Sequence, residues 1–146
     1  MQAPKKKLLF SFAFSLIFTS SIAISASAET LIVAAKNSSI TAITNKVAAK
    51  LWMGKKKRLN GKKVIIIDQQ EDTPAQIEFY QKLLKKSTSE MKAYWAKLVF
   101  MGNSFPPRKL ADDNKVKHWL SKHPASIGYI DVSSKDDSVK VLLTIK

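Results

Sequence analysis

Residues 64–76 read Val-Ile-Ile-Ile-Asp-Gln-Gln-Glu-Asp-Thr-Pro-Ala-Gln. Val64 to Ile67 are all β-branched and apolar on both faces, the pattern of a strand covered on each side by helices. Six residues later Thr73-Pro74-Ala75-Gln76 combines a capping hydroxyl, a proline at the first helical position and a glutamine at the third. A buried strand that runs through a short polar turn into a capped helix is the repeating unit of an α/β domain.

The same alternation extends in both directions. Upstream, Leu31 to Ala35 is a short apolar run that stops at Asn37-Ser38-Ser39, a strand followed by a turn. Ile40, Ile43, Val47, Ala48, Leu51 and Trp52 then recur at helical spacing, and Gly54 stands where a helix would be capped. Downstream, Ile77, Tyr80 and Leu84 form the predicted buried stripe of the helix begun at Thr73. Ser87-Thr88-Ser89-Glu90 is a second capping box, followed by Met91, Tyr94, Trp95, Leu98 and Val99, a full amphipathic repeat. Gly102 ends that helix, and Ser104 to Lys109, with Pro106-Pro107, is expected to be an extended loop. A helix over about 112–122 buries Val116, Trp119 and Leu120 and stops before Pro124. Ile127 to Ile130 and Val139 to Ile145 complete the strands. Trp52, Trp95 and Trp119 each fall on an apolar stripe and are expected in the core.

The first 28 residues have a different character. Lys5, Lys6 and Lys7 precede an uncharged apolar stretch from Leu8 to Ile24, and Ala26-Ser27-Ala28 is a small-x-small site. This is the three-part layout of a cleaved secretory signal peptide, so the expected mature chain is 29–146, exported to the periplasm. The apolar stretch is interrupted by serine and threonine and falls short of the ~20 residues of a membrane span, so no stable membrane anchor is expected. The whole chain of 146 residues carries 25 Lys+Arg against 11 Asp+Glu and no cysteine. Without Lys5, Lys6 and Lys7 the balance is 22 against 11, a charge of +11. The lack of cysteine excludes disulfides, thiolate metal sites and a cysteine nucleophile.

Catalytic signatures are missing. His118 and His123 are five residues apart, about 140° around a helix, and do not share a face for metal binding. The acidic pairs Asp112-Asp113 and Asp136-Asp137 suit a helix start and a turn. No GxSxG, HExxH, Walker or dinucleotide loop occurs. The sequence therefore predicts a non-enzyme without metal or cofactor. Lys55-Lys56-Lys57-Arg58 with Lys62-Lys63 is a dense basic loop carrying the turn signal Asn60-Gly61. It has no aromatic for base stacking, and an exported protein rarely meets nucleic acid, so no nucleic-acid partner is expected.

Several segments resemble phosphate ABC transporter substrate-binding proteins. Leu51-Trp52-Met53-Gly54-Lys55 is similar to that family's (I/L)-F-x-G-K segment, and Val64 to Gln69 to its strand ending in an aspartate. Phe79-Tyr80, Tyr94-Trp95, Phe100-Met101-Gly102 and Pro106-Pro107 follow in the family's order. Ala125 to Ile130 resembles its A-I-G-Y closing strand. The resemblance runs from about Leu31 to Leu143. It implies a small periplasmic-binding-protein-like (type 2) α/β domain over 29–146, a mixed sheet flanked by helices. The implied role is non-catalytic binding of inorganic phosphate or a similar oxyanion, with an ABC permease or a sensor protein as partner. Where the family has its S-G-T-R phosphate loop, this chain reads Gln70 to Gln76. It keeps a hydroxyl only at Thr73, lacks the arginine, and sets Glu71 and Asp72 where they repel phosphate. Asn37, Ser38, Ser39 and Thr73, each between a strand and a helix, are the expected ligand residues. The alternatives are a binding-protein-like module that has lost its ligand and acts through a protein partner, and a basic protein attracted to anionic envelope surfaces.

Overall fold

The computed structural model describes residues 29–146; the expected signal segment 1–28 lies outside the described residues. Seven strands form: β1 (Thr30–Ala35), β2 (Arg58–Leu59), β3 (Lys62–Lys63), β4 (Ile65–Gln69), β5 (Arg108–Leu110), β6 (Ser126–Asp131) and β7 (Val139–Ile145). Four α-helices accompany them among the described residues: α1 (Asn45–Trp52), α2 (Pro74–Phe79), α3 (Thr88–Phe100) and α4 (Asp113–Lys122). The main sheet has the order β5-β4-β6-β1-β7. β4 is parallel to β5 and β6, whereas β1 is antiparallel to both β6 and β7. The fold is therefore a mixed sheet flanked by helices.

Each sheet face has its own core. Ile32, Ala34, Ile127, Tyr129, Leu142 and Ile145 meet Trp52, Phe79, Leu83, Met91 and Trp95 from α1 to α3 on one face. Leu31, Val33, Ile67 and Ile130 meet Val116 and Leu120 of α4 on the other. The alternation of Leu31-Ile32-Val33-Ala34 between the two clusters is the period-two geometry of a strand. β6 packs so closely on α4 that a Cβ added at Gly128 would lie 2.7 Å from Val116 Cγ1.

The local signals place most boundaries. Ser87 and Glu90 form the expected capping box of α3, Thr73 caps α2 by accepting from Gln76 N, and Asp112 caps α4. Gly54, at φ +68, terminates α1 in the left-handed region, where its missing Cβ also leaves room for Trp95 Cη2.

Six expectations are corrected. α1 starts at Asn45 behind the cap Thr44, so Ile40 and Ile43 reach the core from a loop. Ile77 is exposed, and the buried face of α2 runs through Gln76 and Phe79 into a π-helical turn over Tyr80–Leu84. The physical reason is that Gln76 answers backbone groups of the preceding turn, accepting from Asp72 N at 3.0 Å and donating to Gln69 O at 3.2 Å. Val99 is exposed: the buried residues of α3 are Met91 and Trp95, and none follows Trp95. The expected loop after Pro107 forms β5, pairing with β4 from Ile67–Arg108 to Gln69–Leu110. The basic loop is a hairpin, β2–β3, turned by Asn60 and Gly61 at positive φ. Trp52 and Trp95 are in the core, whereas Trp119 is half-buried, stacked on His123 at 4.0 Å and covered by the Arg108 guanidinium at 4.7 Å.

Candidate functional site

The direction of β1 decides where the expected ligand residues go. Ala34 pairs with Ile127 at the start of β6, and Thr30 with Asp131 at its end. The Asn37-Ser38-Ser39 turn after β1 therefore lies at the end of the sheet where β4 and β6 begin. Thr73, which follows β4, lies at the other end. A six-residue strand is about 20 Å long at ~3.3 Å per residue, so the two groups do not converge on one ligand.

At the first end, a cavity of about 340 Å³ opens between the 39–44 segment and the β2–β3 hairpin. Ser39, Thr41 and Thr44 contribute hydroxyls, Lys56, Lys62 and Lys63 contribute ammonium groups, and Ile40, Ile43 and Val64 form part of an apolar floor. The N-terminus of α1 opens here: Thr44 caps it by accepting from Val47 N at 3.3 Å, and its first turn holds no carboxylate. Among the expected residues Ser39 lines this cavity. Ser38 does not: it is buried, its Oγ accepts from Ile40 N at 3.2 Å, and its carbonyl accepts from Lys140 Nζ, which ties the turn to β7. Asn37 is exposed beside it and is not among the lining residues.

At the second end, Thr73 lines a cleft of about 410 Å³ together with Glu78, Asp112, Asp113 and Asp131. Its hydroxyl is spent locally, accepting from Gln76 N and donating to Gln70 O at 3.1 Å. Four carboxylates around one helix start disfavour an anion by Coulomb repulsion. Glu71 turns away toward Lys109 at 2.7 Å and Lys92 at 3.5 Å, and those cations hold its carboxyl below the usual range.

A buried polar cage underlies this end, and sequence reasoning missed it. Asp68 is 2% exposed. Its Oδ1 accepts from Tyr129 OH at 2.5 Å and from Gln69 N at 2.8 Å, and its Oδ2 accepts from Tyr80 OH. Burial pushes the Asp68 carboxyl up, against the pull of these three bonds, and burial beside the same carboxylate pushes both tyrosines up. Gln69 extends the cage, its Nε2 donating to Asp113 Oδ1 at 2.6 Å and Tyr129 O at 3.0 Å. The only hint in the sequence is an aspartate ending a strand of β-branched residues.

No protein-family model matches the sequence, and no curated protein matches it. Solved structures do match. The likeness to an ABC-type phosphate transport receptor from Vibrio cholerae has a TM-score of 0.62 at 14% identity, covering 79% of this chain and 45% of the receptor. The fold is shared with part of that receptor. A putative phosphate ABC transporter substrate-binding protein from Clostridium perfringens, solved with bound phosphate, matches at TM-score 0.59 and 15% identity over 79% of this chain and 44% of its own. PstS from Borrelia burgdorferi matches at 0.59 and 19%, over 79% of this chain and 46% of its own. The chain thus spans less than half the length of each receptor. At these identities the likeness is one of fold, and it agrees with the resemblance seen in the residues.

Proposed function

We propose that the protein is an exported, non-catalytic solute-binding protein for phosphate or a related oxyanion, serving ABC-type import. The observation that carries the reading is the cavity at the end of β1, where three hydroxyls, three lysines and the start of α1 converge without a carboxylate. Hydroxyl and backbone donors at a helix N-terminus hold oxyanions through short, charge-assisted bonds. Of the expected ligand residues, Ser39 is proposed to bind, with Thr41 beside it, while Ser38 and Asn37 shape the turn. Thr73 stands in an acidic cleft and is proposed as a helix cap only.

Titration calorimetry with phosphate and with sulfate tests this. Ser39→Ala with Thr41→Ala removes two directed donors, each worth ~1.5–3 kcal/mol, and should weaken binding at every salt concentration. Lys62→Gln with Lys63→Gln removes longer-range attraction, screened over ~8 Å at physiological ionic strength, and should matter chiefly at low salt. No heat and no thermal shift with either anion at millimolar concentration would overturn the reading in favour of a module that acts through a protein partner.

A further inference from the structure

We infer that the protein docks peripherally on an anionic bilayer through the turn that follows α3. Phe100 is 93% exposed and Phe105 78%, with Met101 and Val99 also open to solvent. The two phenyl rings are open to solvent, and exposed apolar side chains with a polar rim mark a contact surface. The rim is mainly cationic, with one carboxylate, Glu71, held between Lys92 and Lys109. Between Met91 and Ala111 the chain carries Lys92, Lys97, Arg108 and Lys109 and no carboxylate.

Tertiary packing adds a second set of cations. Tyr94 OH donates to Met53 O at 2.7 Å, and the Ser104 hydroxyl lies 3.2 Å from where a Cβ of Gly54 would stand. The aromatic tip therefore sits beside the start of Lys55-Lys56-Lys57-Arg58, all four exposed. Two segments some fifty residues apart in sequence thus form one surface, an apolar point set in a field of cations.

The charge selects the occupant. A second copy would bring the same +11 and the same cations against the patch. Lys55, Lys56 and Lys57 are exposed in the loop between α1 and β2, point charges with no fixed fork aimed at one carboxylate. Such groups respond to a diffuse negative potential, and an anionic bilayer offers that together with an apolar layer for two phenyl rings. No helix among the described residues is long and apolar enough to cross a membrane, so the contact is peripheral.

Vesicle flotation tests the inference. The full-length chain is expressed, its soluble product purified, and binding compared on phosphatidylcholine alone and on phosphatidylcholine mixed with phosphatidylglycerol. The protein should float with the anionic vesicles at low salt and far less with the neutral ones. Phe100→Ser with Phe105→Ser should lower the bound fraction about tenfold or more, as expected when two rings leave the interface, with an unchanged melting temperature because both sites are exposed. Lys55→Gln, Lys57→Gln and Arg58→Gln together should abolish the preference for anionic lipid. Absence of flotation at low salt would overturn the inference. So would a phenylalanine variant that floats like the wild type, or a dimer that the same change dissolves while no vesicle binds.

Discussion

Removing the Tyr129 hydroxyl is the sharpest probe of the Asp68 cage. The ring of Tyr129 stacks on Phe79 at 3.9 Å with an interplanar angle of 6°, so Tyr129→Phe keeps the packing and deletes one donor. Gln69 N, which also points at that hydroxyl at 3.2 Å, retains Asp68 Oδ1 at 2.8 Å. The loss is therefore one hydrogen bond to a buried carboxyl, about 1.5–3 kcal/mol when the carboxyl is charged and about 0.5–1.5 kcal/mol when it is neutral. The size should depend on pH, with a sign set by linkage. Asp68 has a folded pKa raised above its unfolded value, so the native state binds the proton more tightly. Wild-type stability from this group then falls as pH rises from the ordinary carboxylate value, about 3.9, toward the raised one. The Tyr129 bond favours the charged form, and its loss extends that window upward. The cost of Tyr129→Phe should accordingly be larger at neutral pH than at acid pH. Urea denaturation of both proteins at about pH 4.5 and about pH 7.5, one acid and one neutral condition, measures this. Every other titrating group is common to the two and cancels in the difference. A cost below about 0.5 kcal/mol at neutral pH, or an equal cost at both, would refute the cage as a stabilising ionised site.

Trp95→Ala should destabilise by about 3–5 kcal/mol, the range for emptying a large core site. The indole of Trp95 is 7% exposed, and its N–H has no hydrogen-bond partner among the described residues, so a loss under about 1 kcal/mol in denaturant would show that α3 does not pack as described. Gly128→Ala should cost about 1–3 kcal/mol by overpacking, because the new methyl meets Val116 Cγ1 at 2.7 Å; pairing it with Val116→Ala should restore part of that loss. Mass analysis of protein collected after export should find Glu29 as the first residue, from the Ala26-Ser27-Ala28 site; a product that retains Met1 in the membrane would contradict export by a cleaved signal.

What the sequence determined by itself was local. Thr73, Ser87 and Asp112 announce helices because a cap acts on backbone groups two or three residues away. Gly54 and Asn60-Gly61 announce turns because positive φ is a property of the residue itself. Apolar runs at 31–35 and 64–67 announce strands for the same short-range reason, although β4 runs over Ile65–Gln69 and leaves Ile65 40% exposed where burial on both faces was expected, and an α/β class follows from their alternation. The tertiary structure decided everything that depends on which element lies beside which. No local pattern encodes strand direction, yet the antiparallel setting of β1 sends Ser39 and Thr73 to opposite ends of the sheet and leaves them in cavities of opposite charge. Periodicity marks an apolar face without saying whether anything covers it: Trp95 is enclosed, whereas Phe100, five residues on, is bare. Asp68 acquires its environment from Tyr80 and Tyr129, 12 and 61 residues away. A hydrogen bond is satisfied over about 3 Å of space and takes no account of distance along the chain, so only the folded coordinates reveal which distant side chains it joins.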